Sequence, residues 1–503
     1  MTLAAALARR AACDYRGERS ELRGAERAEE LLELGRVLEE LGEYEDAERV
    51  LERAAALARP HALARLAVVL RAMRRSVEAE AAARDAAELA AGGAVEVEAD
   101  ALLELALSHL DLDRRDDAAR ELAQARPVVA SIPRGLAGDR LRFTLRCADG
   151  TLARDRGAYA DAERMFTDAL AFAERQFGAE SIEAASALNG LGMVYKFWGR
   201  FDDGTPVYVR AVSIVERAGG EEHPDLASLY HNLGGLEHAR GDYAAAERHA
   251  RRSLELRART AGAGSVGVAE DEAALASILH GLGCDEEAEG LLRRALPILE
   301  DALGQDHHEV GAALNNLGAV LQRRGDLAEA AEIYTLVLQR KRRLYGNEHP
   351  SVATTLNNLA VVRRRQGELK AARTLYEQAQ SILERTVEPG HPLLATTRRN
   401  LDKLAVVEED AAHDGPVGSR PVRRSEMNKE RDLLAANTNE GAEDDDVEGH
   451  GTLPNVNEAA VVDDDVEGHG SLPNVNEAAV VDDDVEAHGG LPNVNETAAE
   501  DDE

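Results

Sequence analysis

The chain has 503 residues, more than one hydrophobic core can organise, so it must be several domains or a repeat array. Aromatic residues make up only 3% and there is a single tryptophan, a composition that suits stacked Ala/Leu helices better than one large globular core. A net charge of −35 excludes nucleic acid as a partner, because phosphates require a basic surface.

The N-terminal residues MTLAAALARRAACDY place the apolar run before two arginines. A signal peptide needs the opposite order, so none is expected. No stretch of 18 apolar residues exists that could span a membrane. Cys13, Cys147 and Cys284 lie far apart without a CxxC pair, as in a reducing compartment, and they rule out a disulfide framework. Together these features point to a cytoplasmic chain.

Residues 1–140 read as degenerate helical repeats. Leu34-Gly35, Gly42, Tyr44, Ala47, Leu51 and Ala54 match one good unit, and residues 61–89 and 100–126 look like eroded ones. From 141 to 407 the pattern becomes regular. Leu191, Leu233, Leu275, Leu317, Leu359 and Leu401 recur every 42 residues. Gly157, Gly199, Gly241, Gly283, Gly325 and Gly367 keep the same step, as do Ala162, Gly204, Ala246, Ala288, Ala330 and Ala372. A further small-residue series runs Ala169, Ala211, Ser253, Ala295, Val337 and Ala379. Within a unit, residues 312–324 carry apolar positions at helical spacing, Gly325 ends that helix, and a second helix follows with Ala330 and Tyr334. The unit is a helical hairpin that cannot bury its apolar face alone, so the units must stack. Residues 393–407 supply a closing helix over the last apolar face.

After 408 the composition changes. Residues 408–443 read as a linker. Residues 444–503 hold a second repeat, close to DDDVEGHGxLPNVNEAAVV, with Pro454, Pro473 and Pro492 spaced 19 apart. Residues 441–503 contain 20 of the 94 acidic side chains and no Lys or Arg. With like charge and little apolar bulk, this tail is expected to be disordered.

The residues Leu191, Gly192, Tyr195, Gly199, Phe201, Gly204, Tyr208 and Ala211 resemble the tetratricopeptide repeat. The period of 42 departs from that family's usual unit. With Leu314-Asn315-Asn316-Leu317-Gly318, Leu356-Asn357-Asn358-Leu359-Ala360, His223-Pro224, His349-Pro350 and His391-Pro392, it is similar to the kinesin-light-chain subtype. The resemblance implies an all-α, right-handed superhelical solenoid of stacked helix-turn-helix repeats, with first helices lining a concave groove. Counted from the periodic Leu as position seven, position five holds Asn189, His231, Asn315 and Asn357, and position twelve holds Lys196, His238, His280, Gln322 and Arg364. Arg323 and Arg365 follow in sequence, and position two adds Ser186, Ser228 and Thr354. This polar, basic-leaning face suits the backbone of an extended peptide, an acidic one included.

No GxSxG or GxxxxGK[ST] motif is present, so neither catalysis nor a cofactor is expected. The lattice histidines His223, His307, His349 and His391 read as structural residues at repeat junctions, and no metal site is expected. The expected function is a non-catalytic scaffold that binds a protein or peptide, its own acidic tail being a candidate intramolecular ligand. The alternative is a precursor whose C-terminal 19-residue units are substrates of a peptide-modifying enzyme.

Overall fold

The structure, a computed structural model, describes residues 28–413 except 41, 42, 58, 263, 388 and 390. Cys13, the residues weighed as a signal peptide, and the tail repeats of 444–503 lie outside the described residues, as does the linker from 414. Among the described residues there are nineteen helices and no strand. They form nine successive pairs and a final single helix.

The pairs are α1 (Ala28–Glu40) with α2 (Tyr44–Ala55), α3 (Arg59–Ala72) with α4 (Ser76–Ala90), and α5 (Val95–Asp111) with α6 (Arg115–Ser131). Next come α7 (Leu136–Asp155) with α8 (Tyr159–Gln176), α9 (Ile182–Phe197) with α10 (Phe201–Gly219), and α11 (Pro224–Arg240) with α12 (Tyr243–Ala261). The last are α13 (Val266–Gly281) with α14 (Asp285–Leu303), α15 (His308–Arg324) with α16 (Leu327–Tyr345), and α17 (Pro350–Arg365) with α18 (Leu369–Thr386). The final helix is α19 (Pro392–His413), which runs past residue 407.

Each helix packs on its sequence neighbours, and first helices also touch the first helices of adjacent units, with no comparable contact between second helices. The first helices therefore form the tighter inner layer of a curved stack and the second helices its outer layer. This is an all-α solenoid of units numbered 1 to 9.

The lattice residues act at helix ends. Gly241 and Gly325 end α11 and α15 in the left-handed conformation, at φ 90° and 93°, and their N–H groups meet carbonyls of the last turn. A second glycine series, which the repeat reading does not single out, ends the second helices at Gly220, Gly262, Gly304 and Gly346. First helices start on a further lattice of side-chain caps. Ser181 and Ser265 accept from the third residue on, and His223, His307, His349 and His391 accept through Nδ1 from the second.

Packing within a unit pairs a ring on the second helix with a small residue on the first. Tyr208 and Tyr334 are fully buried. A Cβ added at Gly192 would lie 2.5 Å from the Tyr208 ring, and one at Gly318 would lie 2.9 Å from the Tyr334 ring. On the outer surface a 42-residue series of ion pairs joins successive units: Arg217 to Glu180, Arg259 to Glu222, Arg343 to Asp306 and Arg385 to Glu348. Each is exposed and contributes at most about 1 kcal/mol.

Two outcomes follow. Gly192→Ala forces a methyl against a buried ring and should cost about 1–3 kcal/mol in denaturant unfolding. No loss would mean that the ring does not sit where the structure places it. The capping histidines also set a pH dependence. Burial first, then neighbouring cations, holds His307 down to about 3 and His349 down to about 4, and burial lowers His391. Unfolded imidazole titrates near 6.5, so below that pH the unfolded chain binds more protons than the folded one. Stability should therefore fall as pH drops from about 6.5 towards 4. His349→Asn, which keeps an N-cap that does not titrate, should flatten that fall in melting curves recorded across this range.

Candidate functional site on the inner face

All ten side chains singled out for binding lie on first helices, on the inner layer from α9 to α17. Their exposure differs. Arg323 and Arg365 are exposed; Asn189, Lys196, His231, His280 and Arg364 are half-buried; His238, Asn315 and Asn357 are buried. Of the flanking polar positions, Ser186 and Ser228 are exposed, whereas Thr354 and Gln322 are buried.

The asparagines form a ladder between neighbouring first helices. Asn232 Nδ2 donates to Asn189 Oδ1 at 2.9 Å, Asn358 to Asn315 at 3.5 Å, and Asn400 to Asn357 at 3.1 Å. Each bond joins a position-five oxygen to the next residue type one unit later. The ladder breaks at α13, where Ala273 and Ala274 occupy these places. Asn316 would reach back to Ala273, and its Nδ2 has no hydrogen-bond partner. Asn315 Nδ2, Asn358 Oδ1 and Gln322 Oε1 are also without one. Leaving such groups unpaired away from water is unfavourable, so four on one face call for an explanation.

Where the ladder breaks, a carboxylate takes over. Asp271 on α13 is buried and accepts from His231 Nδ1 at 2.7 Å, from Arg257 Nε at 2.8 Å and from Ser253 Oγ at 2.8 Å. Burial pushes its pKa up, but the His231 bond, the Arg257 charge and the Ser253 hydroxyl together hold it below the usual carboxylate range. The bond through Nδ1 orients the half-buried His231 ring. The sequence reading missed Asp271. Its signal was a carboxylate where other units place Ala187, Leu229, Ala313 and Thr355, matched by Ser253 in a series otherwise of Ala and Val.

Position twelve forms a second column. Burial, then Lys196 and His280, push His238 down to about 4, so it is neutral near pH 7 with Nε2 3.4 Å from Ser277 Oγ. Burial, then Arg154, lowers Lys196 to about 8. The Lys196 amine has no carboxylate within ion-pair distance among the described residues; it lies 5.9 Å from the Phe197 ring centroid. The arginines are more engaged than their sequence suggests. Arg323 pairs with Asp285, which also accepts from His280 Nδ1 at 2.8 Å. Arg365 donates to the Gln322 carbonyl. Much of the basic lean of this face is thus met inside the array.

Among the described residues no group of three His, Cys, Asp or Glu could hold a metal ion. No helix there is long and apolar enough to cross a membrane. The ladder predicts a contrast between two neighbours. Asn357→Ala strands the buried Asn400 amide and should cost about 1–3 kcal/mol, whereas Asn316→Ala removes a donor that already lacks a partner and should cost clearly less. Equal losses in denaturant unfolding would contradict the ladder.

A tetratricopeptide repeat model matches residues 147–203, 199–259, 271–343, 309–385 and 351–401, and a second matches 30–61, more than half of the chain in all. No curated protein matches it. Solved structures similar to it include BtubC (BKLC) from P. vanneervenii, at 21% identity over 48% of this chain and 93% of that one, TM-score 0.39. The apo quorum sensor NprR from B. thuringiensis shares 16% identity over 63% of this chain and 82% of its own, TM-score 0.45. A signal transduction ATPase with a tetratricopeptide repeat sensor from Pyrococcus horikoshii shares 14% over 66% and 53%, TM-score 0.41.

Proposed function

The chain belongs to the tetratricopeptide repeat family, and from that premise we propose that it is a non-catalytic cytoplasmic scaffold whose inner face binds an extended peptide or partner segment. One observation carries the reading. The unpaired donors Asn315 Nδ2 and Asn316 Nδ2 and the unpaired acceptors Asn358 Oδ1 and Gln322 Oε1 stand on first helices one unit apart. An extended backbone presents complementary carbonyls and N–H groups at regular intervals, and so meets both kinds. These atoms are shut off from solvent, so the inner face must open around α15 and α17 for a ligand to reach them.

The ligand is an acidic segment. Lys196, with no carboxylate partner among the described residues, supplies a cationic group near His238 in the position-twelve column, and the oriented His231 lies on the same helix as His238. The chain's own tail, with 20 acidic residues and no basic one in 441–503, has that chemistry and competes with an outside partner for the face.

A synthetic peptide of residues 463–481 titrated into the chain lacking 444–503 tests this. We expect binding at low salt that weakens as salt rises, because opposite charges in solvent are screened over about 8 Å at physiological ionic strength. Lys196→Ala with His231→Ala should weaken it by roughly tenfold or more, a loss of about 1.4 kcal/mol or more. Unchanged affinity in that folded variant excludes the inner face, and no binding at low salt ends the role of the tail.

A further inference from the structure

The ordered stack places contacts between neighbours, yet one set of side chains reaches across five or six units. Arg74, in the turn between α3 and α4, donates through Nε to Glu270 at 2.6 Å and through a terminal nitrogen to Glu309 at 3.0 Å. Glu309 lies in the first turn of α15 and Glu270 just past the first turn of α13, 235 and 196 residues away. Their side chains are only 12% and 13% exposed, and Arg74 is 43% exposed. In the next unit Asp113, in the turn between α5 and α6, pairs with Arg115 at 2.9 Å and lies within electrostatic reach of His308. In the first unit Glu39 is within electrostatic reach of Asp225 at the start of α11, a like charge that adds no attraction. Units 1, 2 and 3 thus face units 6, 7 and 8. All first helices run the same way through the stack. The turns at their C-terminal ends form one edge, and their N-termini form the other. The two edges of successive superhelical turns meet here.

The backbone marks the same place. Arg74 and Asp113 have φ of 63° and 56°, the positive-φ non-Gly residues of the described chain. They occupy the position that units 4 to 9 give to Gly157, Gly199, Gly241, Gly283, Gly325 and Gly367. A side chain there is strained, and such strain persists where the side chain has a task. The charged residues stand in the turns of units 2 and 3, which meet the opposite edge, and glycine stands at this place in units 4 to 9. The contact is also incompletely balanced. Two carboxylates share one guanidinium, and Glu309 Oε2 has no hydrogen-bond partner. Burial, offset by Arg74 and reinforced by Glu309, pushes Glu270 up to about 7.

We propose that this line of contacts is an electrostatic seam, with Arg74 as its latch, which closes units 2 and 3 on units 7 and 8 and gates lateral entry of a ligand to the inner face. The seam stands on its own geometry; the gating role rests on the inner-face reading given above. With the seam shut, an extended segment can enter only along the axis of the superhelix. With it open, the segment can be laid in sideways against units 7 and 8. An acidic ligand also competes with Glu270 and Glu309 for the Arg74 guanidinium, so arrival of the ligand and release of the latch favour one another.

The test uses the full chain with spin labels at Val77→Cys and Gln305→Cys, exposed positions on either side of the seam. Cys13 and Cys284 are changed to Ser, and Cys147, its thiol pushed up to about 12 by burial, stays unlabelled. Distances are measured by double electron–electron resonance with and without Arg74→Gly and Asp113→Gly. This variant should fold, since glycine is the residue of the other units at that place, and its melting temperature should not drop. We expect one short distance in the native chain and an added longer one in the variant and at 1 M salt. In the chain lacking 444–503, whose tail cannot compete, association of the 463–481 peptide should be faster with the two substitutions, by up to about tenfold, the most that a gate closed nine-tenths of the time can conceal. An unchanged distance in the folded variant overturns the seam. A longer distance with unchanged peptide association overturns the gate. If the peptide binds neither form, the inner-face reading and the gate fall together, while the distances still decide the seam.

Discussion

How closely a first and second helix approach depends on one contact, a ring from the second helix laid over a residue of the first that has almost no side chain. Tyr208 over Gly192 and Tyr334 over Gly318 show it most directly. Burial of a whole tyrosine supplies apolar area, and the missing Cβ lets the helices come together at a fixed distance. Where the ring is absent the same closeness is reached otherwise. Position 250 is Ala, and an added Cβ at Gly234 would lie 3.3 Å from the Ala250 backbone nitrogen. In the following unit Leu292 is fully buried at the ring position, opposite Ala276. The spacing is kept while the chemistry varies, because each hairpin must offer the next one the same surface.

That demand makes departures from the lattice informative, and they gather in unit 7. It lacks the paired asparagines, having Ala273 and Ala274. It buries Asp271 where others bury Ala, Leu or Thr, and it has Gly264 and Asp301 where other units make the outer Arg–acid pair. It also receives Arg74 through Glu270. A unit that loses the amide ladder, gains a buried carboxylate network and takes a contact from the opposite edge is doing more than propagating the stack. The His231–Asp271 bond ties α11 to this unit, so the partner of His231 on the inner face and Glu270 of the seam are adjacent residues of α13.

Charge in this solenoid is mostly settled locally. Arginines on second helices meet carboxylates of the preceding or the following unit, and Arg323 meets Asp285 on the inner side. Individually such pairs contribute little in water, but the repeated arrangement fixes the register between neighbours. Lys196 and the unfilled amides are the exceptions on the inner face. They give it a chemistry that the net charge of the chain hides.

The amino-acid sequence by itself determined the period, the hairpin, the helix-ending glycines, the tyrosine and alanine packing positions, and which residues share the first-helix layer. All of these follow from contacts within one unit or with the next, where helical periodicity and a constant spacing specify neighbours. Only the tertiary structure decided that Asn315 and Asn357 are buried, that Arg323 is held by Asp285 38 residues earlier, and that Asp271 has a histidine, an arginine and a serine around it. It alone brought Arg74 to Glu270. Curvature is the sum of small rotations between units, each set by side-chain volumes at an interface. Where the opposite edges meet after five units depends on that accumulated angle, which no local pattern of residues records.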